Sequence, residues 1–328
     1  MTHMHVAGSI HADATSHAPV WLTRPDDVNA LTAKLWSSGV TRESDGVLSV
    51  AGIRVTDLVA EVGTPAYVID EVDLRERASG WREAFHGWTV YYAGKSFLCT
   101  TVARWIAEEG LKLDVCSLGE LTVALRAGVD PATIAMHGNN KSIPELRLGL
   151  TAGVGRIVVD SADEIARLEQ LCAELDVTAQ VMVRVTTGVE AHTHEYIATA
   201  HEDQKFGFSI LNGQALVALV RCFRSPRFNL LGIHSHIGSQ IFDTNGFEVA
   251  AKRTMQLLAQ FKEATGDELG ELDLGGGFGI AYVKEDDPAS AEDLAVGLRQ
   301  IIAHECRATG LNEPAISIEP GRAIVGPA

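Results

Sequence analysis

The sequence has no run of about 20 apolar residues, the length a membrane-spanning helix needs, although 46% of its 328 residues are hydrophobic. A soluble protein with a large buried core is therefore expected, with no membrane partner. Basic residues are also few, with 27 Lys and Arg against 43 Asp and Glu and a net charge of -16 at pH 7. Such a surface repels phosphate backbones and anionic lipid at long range, which excludes nucleic acid as an expected partner. The five cysteines, Cys99, Cys116, Cys172, Cys222 and Cys306, are odd in number and form no C-x-x-C pair. A disulfide framework and a zinc site of cysteines are thereby argued against, and a reducing cytoplasm fits. The N-terminus lacks the basic flank and apolar segment of an export signal. His3, His5, His11 and His17 fall in this polar leader, which reads as a disordered tail and not as a metal site.

What the sequence does contain is a repeated alternation. Short apolar or β-branched runs occur at residues 89–93, 113–116, 133–136, 156–160, 180–185, 230–234, 271–274 and 315–319. Between them lie amphipathic stretches such as 100–109, 118–127, 162–174, 247–264 and 291–309, mostly closed by glycines at Gly110, Gly128, Gly266 and Gly310. Eight strand–helix units within about 240 residues predict an α/β fold of the (β/α)8 barrel type, ahead of a doubly wound open sheet. In such a barrel the C-terminal ends of the strands carry the chemistry, and here they run into polar clusters.

Two of those clusters suit a phosphate. Gly275-Gly276-Gly277-Phe278-Gly279 follows the seventh run and lets backbone N–H groups approach an anion. No Gly-Lys-Ser/Thr closes it, so it is no Walker loop, and its late position and spacing do not fit a dinucleotide fingerprint. The eighth run ends in Glu319-Pro320-Gly321-Arg322. Loops after strands seven and eight form the recurrent phosphate site of this fold. Lys95 stands just beyond the apolar first run, where desolvation favours a neutral amine able to form a Schiff base. A lysine, a phosphate cradle and a carboxylate able to meet a ring nitrogen together suggest pyridoxal phosphate. The residue-level alternative for Glu319 is an ion pair with Arg322. Strand alternation puts His234 and His236 on one face, where an imidazole can stack on a ring, bind metal or simply sit in the core. No third and fourth ligand has convincing spacing, so no metal is expected.

Four motifs, Tyr92-Ala93-Gly94-Lys95, the His-Ser-His-Ile-Gly-Ser-Gln run at 234–240, the glycines at 275–277 and Glu319-Pro320-Gly321-Arg322, occur in order at separate strand ends. In them the chain, from about Gly63 onward, resembles the diaminopimelate decarboxylase family, among the fold-type III, alanine-racemase-like pyridoxal phosphate enzymes. Residues 137–142 and the stretch 189–208, with Glu190, His192, His194 and Lys205, resemble that branch more than the ornithine branch. The resemblance implies that Lys95 carries the cofactor and His236 stacks on its ring. It implies that Ser239, Gly276, Gly277, Gly321 and Arg322 hold the phosphate, with Gly275 and Pro320 also among the cofactor-binding residues, while Glu319 meets the ring nitrogen. Asp114 and Arg184 would tune Lys95 and Glu319, and Arg322 could also bind a substrate carboxylate. The implied reaction converts meso-2,6-diaminopimelate to L-lysine and carbon dioxide, with a small-molecule amino acid as partner and a homodimer as assembly. An ornithine or arginine decarboxylase of the same fold, a racemase and a non-catalytic regulatory homologue are the alternatives. Ser96 departs from the alanine common after the lysine. Relatives also continue past the position of Ala328 into a β domain. Residues 1–70 are accordingly expected to pack with such a domain and to lack strand partners here, residues 71–328 to form the barrel, and the eighth helix to be missing. The chain is thus expected to be an incomplete piece that binds cofactor without decarboxylating.

Overall fold

The computed structural model describes residues 27, 29–189 and 206–328. The leader histidines and Glu190, His192, His194 and Lys205 lie outside the described residues. The barrel lies within residues 33–328.

Eight parallel strands close into that barrel: β1 Thr89–Ala93, β2 Lys112–Val115, β3 Ile134–Met136, β4 Arg156–Val159, β5 Ala179–Thr186, β6 Phe228–Ser235, β7 Glu271–Asp273 and β8 Ala315–Ile318. Each pairs with the next, and β8 returns to β1 through Ser317 opposite Thr89. A two-residue strand, Phe208–Ser209, extends the sheet at the end of β5. Every residue of β4 is buried, as expected where helices cover one face and the barrel interior the other. The runs read from sequence fall on these strands to within two residues at either end.

Around the barrel run α1 Glu71–Ala84, α2 Thr100–Glu108, α3 Leu118–Arg126, α4 Ile143–Ala152, α5 Ala162–Leu175, α6 Gln214–Arg224, α7 Asn245–Thr265 and α8 Ala291–Thr309, and a further helix, Val55–Val62, precedes them in the chain. A serine just ahead of α3, α4, α5 and α8 accepts a bond from the first turn, at Ser117, Ser142, Ser161 and Ser290. These caps satisfy amides that would otherwise be orphaned, and they fix the point where the loop over the barrel ends. Gly153, Gly266 and Gly310 end α4, α7 and α8 in the left-handed conformation. Among the described residues, β8 is followed by the four-residue helix Arg322–Val325. The eighth place in the ring is nonetheless filled, because α1, which precedes β1, packs against both α8 and α2.

The expectation that residues near 47–55 lack strand partners is corrected by the structure. Leu48–Val50 pairs with Val40–Arg42 on one side and Ile53–Arg54 on the other, making a small antiparallel sheet. Ser49 at its centre is buried and donates to Glu43 at 2.6 Å. Local hairpin pairing satisfies those backbone groups without a further domain.

Candidate active site

The C-terminal ends of the strands converge on one mouth. Two cavities of about 410 and 390 Å³ open there and share Lys95, His236, Ser239 and Glu319. The first is walled by the loops after β7 and β8 and the second by residues that follow β2, β3 and β5.

The wall of the first cavity is built for close approach. Gly277 has a φ of 102°, and a Cβ there would lie 2.3 Å from the Gly238 carbonyl. Gly321 packs so tightly that a Cβ would meet the Ala93 Cβ and the Ser96 hydroxyl, each at 2.9 Å. Pro320 fixes this corner by accepting a bond from the Ala93 amide at 3.1 Å. Arg322 Nη2 donates to Ser239 Oγ at 3.1 Å, and its Nη1 donates to the Tyr282 hydroxyl. A guanidinium, a hydroxyl and glycine backbone thus face one concavity, the donor set a phosphate requires. Gly276 gives its N–H to His236 Nδ1 at 3.2 Å, and Gly275 gives its own to Asp273 at 2.8 Å. Those two amides therefore shape the loop, whereas the resemblance assigned Gly276 to the phosphate itself.

His236 is held by that bond with Nδ1 as acceptor, which leaves the ring proton on Nε2. Burial, together with Lys95 and Arg184 nearby, holds its pKa well below the histidine range, so the ring is neutral. Lys95 corrects the expectation of a neutral amine. Desolvation is the largest influence on it and pulls its pKa down, but Asp114 and Glu319 outweigh that pull and the net shift is upward. The apolar strand anticipated the first effect but gave no sign of the carboxylates arriving from β2 and β8.

Glu319 is buried and does not pair with Arg322. Its Oε1 lies 2.9 Å from His137 Nε2 and its Oε2 lies 3.4 Å from His234 Nε2. The first contact is close but off the hydrogen-bond direction, so Oε1 still lacks a donor, as does Asp114 Oδ2. Desolvation acts to raise the Glu319 pKa, yet the two imidazoles hold it well below the carboxylate range. Asp114 Oδ1 lies 3.8 Å from the same His137 nitrogen. Arg184 has Asp160 as its partner at 3.8 Å and stacks on Phe206 at 4.3 Å, facing the second cavity. His137, His234 and Glu319 bring three ligand-type atoms within 4.8 Å of one another, the only such cluster among the described residues. Sequence spacing could not find it, because its members come from β3, β6 and β8. Tyr282 was missed for the same reason.

A lysine, a buried anionic carboxylate facing it and a phosphate cradle on a (β/α)8 rim define a pyridoxal phosphate enzyme. A family model described as "Pyridoxal-dependent decarboxylase, pyridoxal binding domain" matches residues 71–326. The diaminopimelate decarboxylase of Mycobacterium leprae (strain TN) is 50% identical over 331 residues, covering 99% of this chain and 70% of that protein. That of Mycobacterium tuberculosis (strain ATCC 25618 / H37Rv) is 51% identical over 302 residues, covering 90% and 68%. The crystal structure of diaminopimelate decarboxylase from M. jannaschii in complex with L-lysine superposes with a TM-score of 0.81 at 30% identity, covering 88% of this chain and 68% of that one. The chain belongs to the diaminopimelate decarboxylase family of pyridoxal-dependent enzymes.

Proposed function

We propose that the protein decarboxylates meso-2,6-diaminopimelate to L-lysine, using pyridoxal 5'-phosphate held between Lys95, Glu319 and the loops after β7 and β8. The observation that carries this reading is one mouth in which Lys95 and the buried, anionic Glu319 face the same concavity as Ser239, Gly277, Gly321 and Arg322. A buried carboxylate held in its charged form is a partner for a protonated ring nitrogen. The cofactor, when bound, supplies an aldehyde for amino groups and a ring that holds the electrons left by departing carbon dioxide.

The remaining work falls to this chain. Ser239, Gly277, Gly321 and Arg322 hold the phosphate, with Gly275, Gly276 and Pro320 fixing the loops around them. His236 presents its neutral ring to one side of the site. Lys95 must surrender a proton before its amine can attack, and Asp114, whose charge acts on Lys95 from β2 and whose pKa burial raises, is the acceptor. Arg184 offers a cation in the second cavity for a substrate carboxylate, and Arg322 is left to the phosphate. The domain division belongs to the same reading, with residues 71–328 as the cofactor barrel and residues 1–70 outside it. So do a homodimer and a cytoplasmic setting, the latter supported by five free cysteines.

The test is reduction with borohydride after adding pyridoxal phosphate, followed by peptide mass spectrometry. A cofactor adduct on Lys95, lost in Lys95→Ala, is the expected result, and lysine formation from meso-diaminopimelate would set aside the expectation of a piece that binds cofactor without decarboxylating. An adduct confined to other lysines would overturn the site.

A further inference from the structure

We infer that His137, at the end of β3, is a positioning residue that keeps Glu319 ionised and aimed into the mouth. The inference rests on the proposed cofactor site and adds to it a group outside the cofactor's own contacts.

The geometry is a stack of charges around one imidazole nitrogen. His137 Nε2 faces Glu319 at 2.9 Å and Asp114 at 3.8 Å, and its ring meets His234 edge to face with centroids 4.8 Å apart. All four side chains are buried. Asp114 comes from β2 and Glu319 from the end of β8, while Asp273 on β7 adds a third carboxylate and Lys95 and Arg184 face the same cavity. Two carboxylates sharing a dry floor cannot both remain charged without a cation between them. Arg184 stands beside Asp160 and Phe206 facing the second cavity, and Lys95 must give up its charge to take the cofactor, so the position between Asp114 and Glu319 belongs to His137.

The two histidines divide the work. Desolvation, the largest influence on His137, acts to lower its pKa, but Asp114 and Glu319 reverse this and the net shift is upward. His234 has only Glu319, at a longer distance, and burial pushes it down to about 3. One ring therefore carries the proton and the other remains neutral, packed against it. With the His137 ring removed, Glu319 would face Asp114 and Asp273 with no cation in contact, and one carboxylate would take up a proton. A neutral Glu319 cannot stabilise a protonated ring nitrogen.

The first measurement uses the protein without cofactor, labelled with ¹⁵N-histidine and titrated by NMR from about pH 5 to 9. The resonance lost in His137→Gln is expected to titrate with a midpoint above the ordinary 6.5. Asp114→Asn is expected to lower that midpoint. A midpoint at or below 6.5 overturns the inference and needs no variant that might misfold. The second measurement adds pyridoxal phosphate and follows its near-visible absorbance with pH. His137→Gln keeps a polar side chain without the charge, and it is expected to bind the cofactor roughly tenfold more weakly, with a band that shifts as pH rises. A variant with unchanged affinity and spectrum also sinks the inference. A wild-type protein that captures no cofactor would refute the functional reading alone, because the histidine titration stands without it.

Discussion

Lys95 shows how a residue can be placed at the barrel mouth from sequence while the direction of its pKa shift is misread. The motif around it, and its place beyond an apolar strand, were sufficient to locate it. Its protonation depended on Asp114 and Glu319, which the barrel brings in from elsewhere and which no local pattern reveals. Glu319 was also legible, but its partners His137 and His234 were not. Asp273 allows the buried charge to be measured. Burial, with a further contribution from Glu319, raises its pKa from 3.8 to about 7. A raised folded-state pKa means stability present below pH 3.8 and lost as pH rises through about 7. The loss amounts to a few kcal/mol, on the order of 1.4 per pKa unit. Asp273→Asn can keep an acceptor for Gly275 and a partner for Ser317 while removing that charge. Its stability relative to the unmodified protein, from urea melts, should improve between about pH 4 and 8. A gap independent of pH would show that Asp273 does not titrate in that window.

At the scale of elements, strands were easier to read than helices. Each strand is a short apolar run bounded by polar residues, and all eight were recognised. Helices α1, α4 and α6 were not named from periodicity. The start of α4, at Ser142 with its reciprocal Glu145 cap, was instead absorbed into a loop motif. One strand feature left a clear trace in the sequence as a glycine. Gly232 sits at an irregularity in the β6–β5 register, and a Cβ there would lie 1.8 Å from the Glu271 carbonyl of β7. That glycine lets β6 and β7 approach well below the mouth, far from the phosphate loops. Gly232→Ala should cost about 2 kcal/mol or more and lower the melting temperature. A melting temperature within a degree of wild type would mean that the strands part at little cost.

For the whole molecule, the anticipated eight-unit barrel is correct, and the unforeseen feature is how its ring of helices closes. A segment that precedes β1 fills the last gap, so the outer layer joins two distant parts of the sequence, as the inner layer does where β8 meets β1. Such long-range pairing forms slowly, because the intervening chain must be ordered first. On dilution from denaturant in the presence of pyridoxal phosphate, cofactor absorbance should therefore appear no earlier than the slowest phase seen by circular dichroism. Capture during a fast phase would mean that the site exists before the barrel does. The same closure sets a clock on the molecule's competence. Lys95 and Glu319 stand on the first and last staves of the barrel, whose ends are tied by the bond from the Ala93 amide to the Pro320 carbonyl. During synthesis Lys95 leaves the ribosome early, and Glu319 follows only after the other strands of the barrel, so the two sides of the mouth meet only once the ring of strands can close.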